Sequence, residues 1–187
     1  VARIMNLANG EMLVAGAFAA FWVFTAGQTS PLLAIVFVAP LAFVANWLIY
    51  RVMLLPLVKR AKSPGQLEVD SILATFGLAF ISVGLMLAAF GGDYFSYSYL
   101  AVPFEIFDDT YALNRVVAFL VAVIIGALLC LWLYASRAGM AVRAVAVSPQ
   151  SAGLVGINVL RTSALAFALG GTVTAVGGAL ISTFLTM

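Results

Sequence analysis

Histidine is absent from these 187 residues, cysteine occurs once, and charged residues make up only 9% of the chain. Each shortage excludes something. Without histidine there is no imidazole for general base work and no ready zinc site. Cys130 has no second cysteine to pair with, and its place in an apolar run reads as a small packing residue. There is no Walker A pattern and no Ser/His/Asp or Cys/His set, so no catalytic residue and no metal ligand is assigned. A net charge of +2, thinly spread, forms no basic stripe for nucleic acid.

What the chain has in excess is apolar surface. Hydrophobic residues make up 65%, and the charged share is well below the roughly 25% of an ordinary soluble domain. One core of this size could not bury so much, whereas a bilayer solvates it directly. Five stretches approach the roughly 20 residues that cross a membrane: about 12–27, 31–50, 71–90, 114–134 and 162–187. The runs are continuous rather than alternating, which favours helices over strands. The expected fold is therefore all-α, a single transmembrane bundle over 1–187 with five spans. The chain opens on Val1 and stops inside an apolar run at Met187, which reads as a fragment of a longer protein.

Charges between the runs sort by side. Arg51, Lys59, Arg60 and Lys62 fall in 51–70, and Arg137, Arg143 and Arg161 fall in 135–161, which holds no acid. The 91–113 stretch carries Asp93, Glu105, Asp108 and Asp109 without a Lys or Arg. The positive-inside bias puts the first two linkers and residue 1 in the cytoplasm and 91–113 outside. Tyr94, Phe95, Tyr97, Tyr99, Phe104, Phe107 and Tyr111 make that outer segment an aromatic belt or a short lid.

Polar residues beside or within the spans are the candidate sites. Asn6, Asn9, Gly10 and Glu11 precede the first span. They read either as a solvated helix start, with Asn9 capping and Glu11 favoured by the helix dipole, or as a break within the membrane that lines a polar path. Asn46 reads as a hydrogen bond to another helix or as a solute contact. Thr75 can return its hydroxyl to its own helix or face the path. Ser30-Pro31 and Ser63-Pro64-Gly65 mark turns before helices. In the second cytoplasmic linker Ser148 is a good N-cap, Pro149 fits the first helical position, and Gly156 can end the helix left-handed. That predicts a helix of about two turns, either a knob for a partner's groove or a connector on the membrane surface. Gly170, Thr174 and Gly178, with Gly171, Ala175 and Ala179, repeat small residues at a spacing of four and predict close helix packing. Ala15/Ala19 and Gly16/Ala20 offer a weaker version in the first span.

These residues resemble the permease subunits of branched-chain amino acid ABC importers. Asn6-Leu7-Ala8-Asn9-Gly10-Glu11 followed by Gly16-Ala17-Phe18 is similar to that family's first signature, and Thr75-Phe76-Gly77-Leu78 to its T-x-G-L segment. Arg143-Ala144-Val145-Ala146, Gly156-Ile157-Asn158-Val159 and Ala166-Phe167-Ala168-Leu169-Gly170 resemble its longest block in order and spacing. Gln150-Ser151-Ala152, with Gly156 four residues on, stands where importer permeases carry an E-A-A-x-x-x-G coupling motif. Two departures are visible: the family's signature His is Asn9 here, and the coupling Glu is Gln150.

The resemblance implies a multi-pass subunit of a bacterial or archaeal plasma (inner) membrane, with urea and short-amide permeases as close analogues. It implies a second permease subunit, identical or sister, two cytoplasmic ATPases that hold ATP and Mg, and an extracytoplasmic solute-binding protein. It also implies a coupling helix built from Ser148, Pro149, Gln150, Ser151, Ala152, Gly153 and Gly156. The residues alone leave two rivals open. An ion-driven transporter would want carboxylates inside the spans, whereas all seven acids lie outside or at the ends of the apolar runs. A non-transporting scaffold would make the polar start and the capped helix incidental.

Overall fold

The computed structural model describes residues 4, 6–27, 30–92, 102–106 and 109–183. Apolar segments that meet no water must satisfy their backbone groups internally, and these do so as helices. In chain order they are α1 (Asn9–Gly27), α2 (Pro31–Ile49), α3 (Leu55–Arg60), α4 (Pro64–Phe90), α5 (Leu113–Ala135), α6 (Arg137–Val147), α7 (Pro149–Leu154) and α8 (Val159–Ile181). A π-helical turn, Tyr50–Leu54, joins α2 to α3. Its cause is local. Pro56 has no N–H to donate, and the Leu55 N–H reaches back five residues to the Tyr50 carbonyl.

Among the described residues, four stretches are long and apolar enough to cross a membrane: Leu33–Arg60, Gly65–Phe90, Leu113–Ala135 and Val159–Ile181. They take in four of the five expected spans. The expected first span forms α1. Asn9, Gly10 and Glu11 occupy its start, leaving about 16 apolar residues, or about 24 Å of helix.

The fold departs from the sequence reading in two places. Strands β1 (Pro103–Ile106) and β2 (Asp109–Ala112) pair antiparallel, Pro103 opposite Ala112 and Ile106 opposite Asp109, so the bundle carries a short ribbon between α4 and α5. The aromatic segment expected there falls largely outside the described residues, at 93–101 and 107–108. The two basic linkers are also more helical than expected. Helix continues to Arg60 and resumes at Pro64, while 135–161 holds both α6 and α7.

α1, α2 and α8 form the centre. Their contact surfaces are small: Ala17, Ala20, Ala34, Ala168, Ala175 and Ala179 are buried, while Phe37, Leu41, Phe80, Phe119 and Leu131 are exposed. A core of alanine and glycine under a large apolar exterior is the arrangement a lipid solvent permits and water does not. α1 and α2 make a hairpin whose Ala20 and Ala34 both meet Ala179 of α8. α2 and α8 run in opposite directions, with Asn46 against Gly171 near the middle and Tyr50 against Phe167 further down.

α4 runs alongside α1, since Leu7 meets Thr75 and Phe18 stacks on Phe90 with ring centroids 4.2 Å apart. α5 opposes α8, because its Asn114 Nδ2 donates to the Thr183 carbonyl beyond the α8 end (3.4 Å). α5 otherwise buries none of its described side chains. Cys130, read as a small packing residue, is exposed on it.

Candidate functional site

Two places gather the polar and capping residues, and a seam of glycines ties them together. The first is the start of α1. Asn6 Oδ1 accepts the Ala8 N–H at 3.0 Å, an Asx turn, and Asn6 Nδ2 donates to Asn9 Oδ1 at 2.8 Å. Asn6, rather than Asn9, therefore turns the chain into the helix. Glu11 follows in the first turn, partly exposed. The Leu7 N–H donates to Thr75 Oγ1 at 3.2 Å, and Thr75 gives its own proton to the Ser71 carbonyl at 2.8 Å. The expected return of that hydroxyl to its own helix is present, with a second use as an acceptor across to α1's approach.

Thr75 is fully buried and lies five residues past Asp70, about 7 Å along α4. Ile4, just upstream, packs on the cluster of Tyr50, Leu54 and Ala164. The structure thus brings Asn6, Asn9 and Thr75 together around a non-helical stretch held between α4 and the π turn.

Asn46 is elsewhere. It is fully buried between α2 and α8, and its Nδ2 donates to Ala42 of its own helix at 2.8 Å, while its Oδ1 has no partner. Among the described residues it bonds no other helix, and it is shielded from solvent. Further down the same interface the Tyr50 and Ser163 hydroxyls are buried neighbours, and neither makes a hydrogen bond of standard geometry.

The second place is α7. Ser148 accepts the Ser151 N–H at 3.2 Å, and Pro149 begins the helix. The far end closes with two bonds: Gly156 N–H to the Gly153 carbonyl at 3.2 Å and Ile157 N–H to the Ala152 carbonyl at 3.1 Å. This pairing requires the left-handed backbone that Gly156 supplies, with φ of +82°. Its six residues make about 1.7 turns, close to the two expected. Ala152 is buried, while Gln150, Ser151, Gly153, Leu154, Val155 and Gly156 are exposed, Leu154 at 89%.

Sequence reasoning missed α6, which leads into α7 through Ser148 alone. A signal was present. Ser136 caps α6 by accepting the Gly139 N–H at 2.9 Å, the same device as at Ser148.

The glycine seam joins α8 to both hairpin helices. A Cβ on Gly178 would collide with the Leu13 carbonyl, one on Gly16 with the Ala175 carbonyl, and one on Gly171 with the Asn46 amide. Gly171, Ala175 and Gly178 thus form the packing face. Gly170, expected on it, is exposed with open space where a Cβ would go.

Searches of curated proteins and of solved structures found no match to this chain. A family match does cover it: residues 1–187 fit the family described as "Branched-chain amino acid transport system / permease component". Helices suited to a membrane, a small-residue core and a whole-length family match agree, and the chain belongs to the branched-chain amino acid transport permease family.

Proposed function

We propose that this chain is one membrane-spanning subunit of an ATP-driven importer for branched-chain amino acids or a similar small polar solute, resident in the plasma membrane. The observation that carries the proposal is α7: a short helix, capped at both ends, that holds Leu154 and Val155 outward between two longer helices. An exposed, preorganised apolar knob on a chain without nucleotide-binding residues is suited to receive force from a partner. Two ATPase subunits would bind ATP and Mg and press on α7, a second permease subunit would complete the pore, and a solute-binding protein would deliver cargo.

The path of the force follows from the connections. Ser148 alone links α7 to α6, and four residues link it to α8, so displacement of α7 moves α8. The Gly171/Ala175/Gly178 seam then carries the motion to α1 and α2. The start of α1 is the proposed solute path, with Asn6, Asn9 and Glu11 as its polar groups.

Two lengths support placing that start inside the apolar zone. The roughly 24 Å of apolar α1 falls about 6 Å short of a 30 Å hydrocarbon core, and Thr75 lies about 7 Å past Asp70. The Glu11 carboxylate and Asn9 amide would meet the solute's ammonium, and the flanking apolar helix its side chain. Burial of Asn46 and Thr75 favours supporting roles for both.

The test is Gly156→Val in the full transporter. A β-branched residue at φ +82° is strained, so α7 loses its closing bonds while the spans remain. Solute uptake and solute-stimulated ATPase activity should both fall at least tenfold with membrane levels unchanged. Full uptake by this variant would remove α7 from the coupling path.

A further inference from the structure

Two buried hydroxyls take no part in the proposed solute path. Tyr50 opens the π turn, and Ser163 lies about 6 Å into α8. Each residue is 1% exposed. The hydroxyls are neighbours, yet among the described residues neither has a hydrogen bond of standard geometry, and both oxygens are sealed from water. Buried polar groups are nearly always paired, because an unpaired one has given up its bonds to water for nothing. Ser163 also departs from its own helix. Thr172, Thr174, Ser182 and Thr183 each return their hydroxyl to a carbonyl three or four residues back, a bond that Ser163 does not make.

The pair sits where two moving parts meet. Tyr50, Leu54 and Ala164 form one buried cluster, with Ile4 and Phe167 packed against it. Ser163 is seven residues past Gly156, and Ile4 is two residues before Asn6, so the cluster touches the α7 end of α8 and the approach to α1. The glycine seam begins about 12 Å further along α8, at Gly171. Pro56 holds the π turn, having no N–H to give to an α-helical carbonyl. Tyr50 is therefore the fixed partner, and α8 is the one that pressure on α7 would shift.

Building on the ATP-driven importer proposed above, we propose that Tyr50 is a positioning residue for transport. Pressing α7 slides α8 past the π turn, the Tyr50 hydroxyl comes into line to donate to Ser163 Oγ, and this bond holds the pressed arrangement. The present arrangement, with both oxygens unpaired, is the unpressed one. One neutral hydrogen bond shifts the balance between two such arrangements about fivefold.

The test uses vesicles that hold the full transporter with its ATPase subunits and ATP inside. Tyr50→Phe and Ser163→Ala should each lower solute uptake about fivefold at matched protein levels. The double variant should lose no more than either single one, because all three lack the same bond. Melting without nucleotide should show no loss of stability, since the unpressed protein sheds only an unpaired oxygen. Unchanged uptake in either single variant overturns the proposal, as do losses that multiply in the double variant. Losses of uptake matched by a lower melting temperature overturn it too, because the hydroxyls would then support the unpressed fold. Wild-type uptake that needs no ATP would instead remove the importer reading, and this proposal with it.

Discussion

Replacing Gly178 by alanine tests the α1–α8 seam, and Gly170→Ala is its internal control. Both glycines belong to α8, and both substitutions gain the same intrinsic helix preference, about 1 kcal/mol. They differ in surroundings. A methyl at 170 enters open space, while one at 178 lands on the Leu13 carbonyl of α1. Backbone cannot rotate away as a side-chain tip can, so α1 and α8 must part. Overpacking of this kind costs about 1–3 kcal/mol. The common term cancels between the two variants, leaving Gly178→Ala less stable than Gly170→Ala by about 5-fold to 150-fold in the folding equilibrium.

Reversible unfolding of the full chain in mixed micelles reads this ratio. Gly16→Ala should behave like Gly178→Ala, because its Cβ meets the Ala175 carbonyl at the same crossing. The double variant should lose less than the sum, since helices already parted accept the second methyl cheaply. Equal stability of Gly178→Ala and Gly170→Ala would refute the close approach, and with it the route proposed from α7 to α1.

Other substitutions test single contacts. Thr75→Val leaves the Leu7 N–H without its acceptor and should cost about 1–3 kcal/mol in melting experiments, whereas Thr75→Ser keeps the oxygen and should stay near wild type. Ser148→Ala removes the α7 cap, worth about 1 kcal/mol, and should weaken uptake without abolishing it, as read by solute flux at matched protein levels. Asn46→Leu keeps the side-chain shape while deleting one local hydrogen bond and an unpartnered buried oxygen, so stability and uptake should change little; a large loss of uptake would place Asn46 in the solute path.

Local chemistry was the legible part of this chain. Ser30, Ser63 and Ser148 each precede a proline and each accepts the N–H three residues on, because a cap involves only its neighbours. Apolar run length likewise located α2, α4, α5 and α8. What the sequence hides depends on distance or on backbone detail. Leu7 meets Thr75 across 68 positions, and no local pattern announces that pair. The repeat at 170–179 offers small residues on more than one face, so only the packed neighbours decide that Gly171 is inside and Gly170 outside. Pro56 signals a disturbance, yet hydropathy cannot tell a π turn from a kink or a stop. α6 gives no span signal because its 11 residues are too few for a membrane crossing and carry two arginines. The whole-length family match fixes the transport permease class and leaves the solute to experiment.

The most direct test of the coupling account is a cross-link from α7 in the assembled transporter. Cys130→Ala frees the chain of thiols, and Leu154→Cys then places a single one on the exposed tip of α7. After mild extraction from native membranes, a short thiol cross-linker should join this chain to a nucleotide-binding ATPase subunit present in stoichiometric amount, and ATP should change the yield. A preparation active in solute uptake that contains no ATPase, or whose ATPase never cross-links to position 154, would contradict the account.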